Sequence, residues 1–462
     1  MIFLAFALLP FIESIGNRTE GILGKLGHDG AFYPVFLGVV LWIGHCIVNK
    51  DKIYIPQNNS FKLLLILLAW VLITSIFNFD NILVLNFQGK KGIDRFVIQY
   101  SLLIFYLLIP LYIFNMAKKI QNFEYIIIKG IKISLFISIL YMVIEFGYFF
   151  HINFLSNILY NLNGMFRGDE LIYFKIRSVA GEASLFGFYV AFVLPFIMFY
   201  AFVKEKSIYL FSFVFIVVGA ICSFSRTVYV VTLIEIILFS ILFIKKLFYN
   251  KKYIIGSSLI YVTFFSAILF YFENEVSLLS DYNVFQIIES LTSSSADGDM
   301  QSMSNAARYG SQVASWNVFL MAPVLGVGWG QEGFYIADFY PEWAWVSSEV
   351  TEWAINGQSY TLPSTFNVFL RFLCCAGIIG GILWCTVWIS ECYKLIKLIS
   401  YNESKLIFIV IIGIVILWGS SDQVRFFGMW MAMGVSWINT ESRIMNENTC
   451  DVLTTISSDK RK

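Results

Sequence analysis

Apolar residues fall in long blocks along this chain, separated by short polar stretches that carry most of the charge. The blocks lie at Ile2 to Ile15, Ala31 to Val48, Phe61 to Phe79, Phe96 to Met116, Ile126 to Phe149 and Val179 to Val203. Six more lie at Ile208 to Phe224, Val228 to Ile244, Tyr253 to Phe272, Phe366 to Ile389, Lys405 to Ser420 and Arg425 to Ile438. A helix needs about 17–25 apolar residues to cross the hydrocarbon layer, so the pattern predicts an all-α integral membrane protein, a bundle of about twelve transmembrane helices. The last two blocks are short. The first lacks a basic leading region and a small-residue cleavage site, and reads as a span, not as a removed signal peptide.

The polar stretches sort by charge type. Lysines cluster in alternate connections: Lys50 and Lys52, Lys118 and Lys119, Lys204 and Lys206, Lys245 to Lys252, Lys394 to Lys405, and Lys460 to Lys462. The positive-inside rule assigns these to the cytoplasm, which puts both termini inside. Lys90 and Lys91 are the main exception. Arginines do the opposite, since Arg18, Arg95, Arg167, Arg177, Arg226, Arg308, Arg371 and Arg425 map to the outer side, leaving only Arg443 and Arg461 inside. Any one of them can serve as a helix-end anchor, but the set points to an anion, because guanidinium binds phosphate and carboxylate in bidentate fashion.

One connection breaks the compact alternation. Glu273 to Ser364 is a large outward loop of about ninety residues, a length that usually carries function. It divides the chain into an N-terminal membrane part (1–272), the loop (273–364) and a C-terminal membrane part with a cytoplasmic tail (365–462). The loop holds eleven carboxylates against one basic residue, Arg308, and its Ser290 to Asn305 stretch has a disordered composition. Tyr309, Val313, Trp316 and Leu320 then recur at helical spacing, an apolar stripe suited to lying on the membrane. Pro323 ends that helix, and Gly326, Gly328 and Gly330 make a tight turn.

Composition excludes a soluble fold, because a chain that is 58% hydrophobic and 14% charged cannot bury so much apolar surface without lipid. The net charge of +1 gives no reason to expect a nucleic acid. The seven cysteines include no CxxC pair and none in the loop, so neither a disulfide framework nor a metal site is suggested. Only His28, His45 and His151 are present, which argues against a histidine triad or a zinc centre.

Candidate chemistry concentrates on the outer side. Arg177 to Gly187 reads RSVAGEASLFG, an arginine at a helix N-terminus with Glu182 about one and a half turns deeper. A carboxylate inside an apolar span is paired, protonated or catalytic, so Glu182 is either an acid or base or a buried hydrogen-bonded group. Glu145 and Glu235 are read as structural. Arg226 occupies a very short outer turn, at phosphate depth. Asp422 and Arg425 occupy another and are expected to pair with each other. The Gly326–Gly330 run lacks the strand and helix of a nucleotide loop, which leaves a bare turn or one whose N–H groups face an anion. Trp343, Trp345 and Trp353 suit stacking on sugar rings, against the alternative of an interfacial belt.

Several of these pieces together resemble the O-antigen polymerases and O-antigen ligases of bacterial surface polysaccharide synthesis. They are Arg177 with Gly181, Glu182 and Gly187; Ser225-Arg226-Thr227; Arg308 with Trp316; the PVLGVG run ending at Gly328; and Thr365-Phe366-Asn367 leading into Gly377 and Gly380. The resemblance implies a metal-independent glycosyltransferase of the GT-C type in the bacterial inner membrane, with no cofactor and an active site facing the periplasm. Its implied donor and acceptor are undecaprenyl-diphosphate-linked oligosaccharides, and its implied partner is a chain-length-determining co-polymerase. In the family the last piece often begins with His-Asn, whereas here Phe366 precedes Asn367. That departure favours polymerase over ligase and moves the search for a base to carboxylates.

On this reading Glu182, Arg177 and Arg308 are the catalytic candidates, with Glu332 second to Glu182 as base. Arg226, Arg371, Arg425, Glu332, Gly326, Gly328 and Asn367 are the substrate-binding candidates. The competing class is a flippase of lipid-linked oligosaccharides, which needs similar spans but no ninety-residue outer loop and is commonly built from related halves.

Overall fold

The computed structural model describes residues 1–15, 24–87, 89–166, 175–248, 300–356 and 362–438. The expected span at Tyr253 to Phe272, the Ser290 to Asp299 stretch and the C-terminal tail lie outside these residues. Helices make up nearly all of the regular structure. Among the described residues, six are long and apolar enough to cross a membrane: α2 (Phe32–Asn49), α3 (Asn59–Phe77), α5 (Gly92–Lys119), α6 (Phe123–Phe149), α8 (Ala183–Met198, running on to Val203) and α13 (Val368–Lys397). Shorter apolar helices stand among them: α9 (Ser207–Ile221), α10 (Arg226–Leu242), α14 (Asn402–Leu417) and α15 (Phe427–Ile438).

The remainder are α1 (Ile2–Ala7), α4 (Phe79–Val84), α7 (Asn153–Phe166), α11 (Met300–Met321) and α12 (Glu332–Ile336), with a few single turns. Two short strands, β1 (Asn86–Phe87) and β2 (Lys90–Lys91), form an antiparallel hairpin before α5.

The first expected span is corrected. Its helix stops at Ala7, because Pro10 has no N–H to donate and disfavours helix in the residue before it. The chain then turns, with Glu13 at positive φ. Central in the bundle is α8, in which every residue from Leu185 to Leu194 is buried and which packs on α9, α10 and α14.

Helix ends sort as the charges do. Lys119 donates to Asp51 beside the end of α2, Lys246 to Asn402 at 3.0 Å and Lys405 to the carbonyl of Leu242 at 2.6 Å, so lysine-bearing ends gather on one side. The arginine-bearing starts of α5, α10 and α13 belong to the other.

At the arginine side, α13 is broken at Gly377, where φ is 65°. The break frees carbonyls that a buried chain must satisfy. Val327 N–H donates to Cys374 O at 2.8 Å, Gly328 N–H to Cys375 O at 3.1 Å, and Ile378 N–H to Pro323 O at 2.8 Å. Trp70 Nε1 donates to Ala376 O at 2.8 Å. Gly326 makes this close approach possible: at φ +68°, a Cβ there would sit 2.5 Å from Cys374 O. The turn, read from the sequence as either bare or anion-facing, therefore spends the N–H groups of Val327 and Gly328 on a broken helix, and neither Gly326 nor Gly328 lines the cavity described below. Gly326→Ala should cost about 2 kcal/mol through backbone strain and overlap, read as a lower melting temperature in detergent; an unchanged value would refute the role of this contact.

In α11, Ala307, Gly310, Ser311, Ala314, Ser315 and Val318 are buried on the sides that meet α13 and the turns at Tyr340 and Ala344. Small residues there let the backbones approach closely. The stripe of Tyr309, Trp316 and Leu320 points away from the protein, each about half exposed, as an interfacial helix requires.

Candidate functional site

The starts of α5, α8 and α13, together with α11 and the loop before α15, enclose a cavity of about 610 Å³. Of the expected residues, Glu182, Arg308, Arg371 and Arg425 line it. Arg177, Arg226, Glu332, Gly326, Gly328 and Asn367 do not.

Each absence has a local cause. Residues 175–182 are not helical: Ser178 sits at positive φ, and Gly181 N–H donates to Ile12 O at 2.8 Å. A Cβ on Gly181 would lie 2.6 Å from Glu13 O, so glycine is needed where the two segments touch. Arg177 is buried in this turn and donates through Nη1 to Gly181 O at 2.6 Å. It is not at a helix N-terminus. Glu182 is not inside a span either; it is the residue just before α8, exposed to the cavity and accepting from Ser184 Oγ at 3.2 Å. Asn367 caps α13, its Oδ1 accepting from Phe369 and Leu370 N–H at 2.9 and 3.1 Å. Arg226 is the first residue of α10, and its neighbour Thr227 lines the cavity in its place.

Two of the lining guanidiniums are held by one buried acid. Arg371 Nε lies 3.3 Å and Arg95 Nη2 3.6 Å from Glu332 Oε1, and Cys375 Sγ donates to Glu332 Oε2 at 3.0 Å. Burial alone would raise the Glu332 carboxyl, but Arg371, Arg95 and the Cys375 thiol outweigh it and hold it below its usual range. A 2% exposed carboxylate between two guanidiniums, off the cavity wall, holds them in place, which suits it poorly to the role of base for which it stood second to Glu182. Arg371 Nη2 also donates to Gln99 Oε1 at 3.0 Å, and its guanidinium lies over Trp329, 5.5 Å from the ring centre.

Arg425 pairs with Glu13, and its Nε donates to Gln423 Oε1 at 2.6 Å. The expected Asp422–Arg425 pair is thus replaced, because the turn after α1 brings Glu13 to the arginine. Four tryptophans lock the loop that carries Arg425. Trp384, Trp388, Trp418 and Trp430 form one cluster, with Trp384 and Trp388 5.2 and 5.0 Å from Trp418. Trp418 Nε1 then donates to Gln423 O at 3.1 Å and Trp430 Nε1 to Val424 O at 2.8 Å.

Arg308 is held more lightly. Its guanidinium lies over the ring of Phe366, 5.8 Å from the centre, and Phe366 packs on Trp353 at 5.5 Å. Of the three tryptophans expected to stack on sugars, Trp353 lines the cavity. Trp343 stacks on Tyr309 and Trp345 packs on Tyr340. Near Arg308 lies Glu349, which sequence reasoning passed over among the eleven loop carboxylates. Burial pushes its carboxyl up, Arg308 offsets this, and the neighbouring charges of Glu182 and Glu352 add to it. Lys90, Lys91 and Arg95 also line the cavity. The charge sorting held the signal for the lysines, as the one pair on the wrong side.

The arrangement defines a multi-pass helical membrane protein in which Arg95, Arg308, Arg371 and Arg425 converge on one cavity with an accessible carboxylate. Residues 211–385 match the family described as O-antigen ligase. That match supports membership of the O-antigen polymerase and ligase family. It runs from α9 through α11 to the middle of α13 and contains Arg226, Arg308 and Arg371. No curated protein matches the chain.

Proposed function

We propose that the protein is a polymerase that joins undecaprenyl-diphosphate-linked oligosaccharide repeat units at the periplasmic face of the inner membrane. The observation that carries the reading is the meeting of Glu182 and Arg308 on one cavity. Phe366, which has no proton to accept or give, stands where a histidine would favour a ligase.

Glu182 takes the proton of the acceptor hydroxyl. The hydroxyl oxygen then bonds to the anomeric carbon of the donor sugar, and the bond from that carbon to the diphosphate oxygen breaks. Its electron pair leaves on the diphosphate. Arg308 and Arg371 stabilise the charge that develops there, a fixed guanidinium doing what a metal ion does in other transferases. Glu182 returns its proton to water or to the departing diphosphate through the open side of the cavity. Because Arg371 is pinned by Glu332 and Gln99, little reorganisation accompanies the charge transfer.

The test is purified protein in vesicles with a defined undecaprenyl-diphosphate-linked repeat unit and no nucleotide. Longer lipid-linked products, with one undecaprenyl diphosphate released per bond formed, are expected. Unaltered substrate carried across the vesicle wall would establish a flippase instead. Transfer only to a saccharide on a diphosphate-free lipid would establish a ligase.

A further inference from the structure

We propose that Phe366 is the positioning residue for Arg308: its ring holds the guanidinium by the face and leaves the N–H edge to the departing diphosphate. The inference rests on the role given to Arg308 in the polymerase reading.

Arg95, Arg371 and Arg425, which share the cavity wall with Arg308, are held through their N–H groups. Arg371 and Arg95 approach Glu332 Oε1, and Arg425 meets Glu13 and Gln423. A carboxylate that fixes a guanidinium also occupies donors that a phosphate would take. Arg308 is fixed differently. Its guanidinium carbon lies 5.8 Å from the centre of the Phe366 ring, within reach of a cation–π contact, and such a contact takes none of the N–H donors. Glu349 feels the charge of Arg308 but is not on the cavity wall, whereas Phe366 is.

A platform must itself be fixed. Phe366 has a φ of 47°, a left-handed conformation that a bulky residue adopts only where its surroundings impose it. Here they do so from two sides. Phe366 N–H donates to Ser364 Oγ at 3.2 Å, and Phe366 O accepts from Gln312 Nε2 at 3.2 Å. Gln312 Nε2 also lies 3.4 Å from Gly419 O, which accepts from Asn367 Nδ2 at 3.0 Å. Val368 N–H then donates to Trp418 O at 3.0 Å, so the segment is tied to the end of α14.

Gln312 stands four residues beyond Arg308 in α11, and residues at that spacing share a helix face. Successive turns of α11 therefore grip one residue, the first by its ring and the second by its carbonyl. Trp353 packs on the same ring at 5.5 Å. A glycine would adopt the left-handed turn without strain, so the turn alone gives no reason for phenylalanine. The ring against Arg308 does.

The experiment replaces Phe366, in the full-length protein, with phenylalanines of increasing ring fluorination, which keep the shape of the side chain and withdraw electron density from its face. With the defined donor and acceptor, kcat should fall stepwise along the series while donor KM stays within about twofold and the melting temperature in the same detergent is unchanged. Phe366→Leu should lose about tenfold in kcat, and Phe366→Tyr should recover most of it. In an Arg308→Gln background there is no charge to hold, and Phe366→Leu should cost less than about a further twofold.

A rate that stays flat across the fluorinated series overturns the proposal. So does a double variant in which the two single losses multiply, since the ring would then act on its own as wall or packing. If Phe366→Leu fails to accumulate, the fluorinated series decides alone. A wild-type protein that forms no polymer, or an Arg308→Gln variant that polymerises at the normal rate, overturns the reading of Arg308 and this inference with it. A polymerising protein, slowed by Arg308→Gln but insensitive to the ring, overturns the role of Phe366 alone.

Discussion

Arg308→Lys is expected to lose about 10²–10³ in kcat, the usual worth of one fixed donor to a developing oxyanion, while the protein accumulates and melts as before. The second half follows from how the side chain is held. Its guanidinium lies over the ring of Phe366, a cation–π contact of about 0.5–1 kcal/mol at a site open to water, which an ammonium partly keeps. The first half follows from shape. A lysine supplies the charge but not the planar fork that meets two phosphate oxygens at once. Initial rates of undecaprenyl diphosphate release, beside a melting curve in the same detergent, separate the two. A rate within about twofold of wild type would reduce Arg308 to an anchor for Phe366.

Arg371 is the informative contrast. It lines the same cavity, yet its guanidinium is fixed by Glu332 and Gln99. Removing it leaves an ionised, buried Glu332 with Arg95 alone, and uncompensated buried charge is costly. Loss of activity in such a variant would not distinguish chemistry from misfolding, whereas Arg308 is suited to that distinction.

The class of fold was legible because lipid imposes a coarse rule: apolar blocks of spanning length must be helices. A local code was overlooked at Asn367, read from the sequence as a substrate-binding residue inside a span beginning at Phe366, although it is a capping residue type followed directly by the apolar run of α13. Charge sorting was legible too, and its one violation at Lys90 and Lys91 marks a wall of the cavity. What was not legible depends on contacts between distant segments. Nothing near Gly326 announces that its turn will receive the carbonyls of a helix broken about fifty residues later. Nothing near Arg425 announces Glu13, more than four hundred residues away. Glu13 itself was hidden inside a block read as continuous, although a lone carboxylate after Pro10 was a sign that the block ends there.

The placement of Glu182 shows the same limit and changes its chemistry. The apolar run from Val179 to Val203 put it inside a span, where its carboxyl would be paired or hard to ionise. The close contact of Gly181 with the Ile12–Glu13 segment delays the helix to Ala183, which leaves Glu182 at the helix entrance with its carboxylate on the cavity. A carboxylate there is accessible to a sugar hydroxyl and to water, as a base that must be reset on every turnover requires.

Glu182→Gln keeps the size of the side chain and an acceptor for Ser184 Oγ, and it removes the proton acceptor. Turnover should fall by roughly 10²–10⁴-fold, the usual contribution of general base catalysis, with donor binding largely kept and no loss of stability, since no buried partner is left behind. Glu349 is the control. Its carboxyl is pushed up by burial and faces the same charges, but it is absent from the cavity wall, so Glu349→Gln should reduce turnover far less. Steady-state rates and donor KM for the two variants decide the matter. Equal losses would spread the proton transfer over both carboxylates, and a normal rate in Glu182→Gln would remove Glu182 from the chemistry and direct the same test to Asp94 and Asp422, the other carboxylates on the cavity wall besides the paired Glu13.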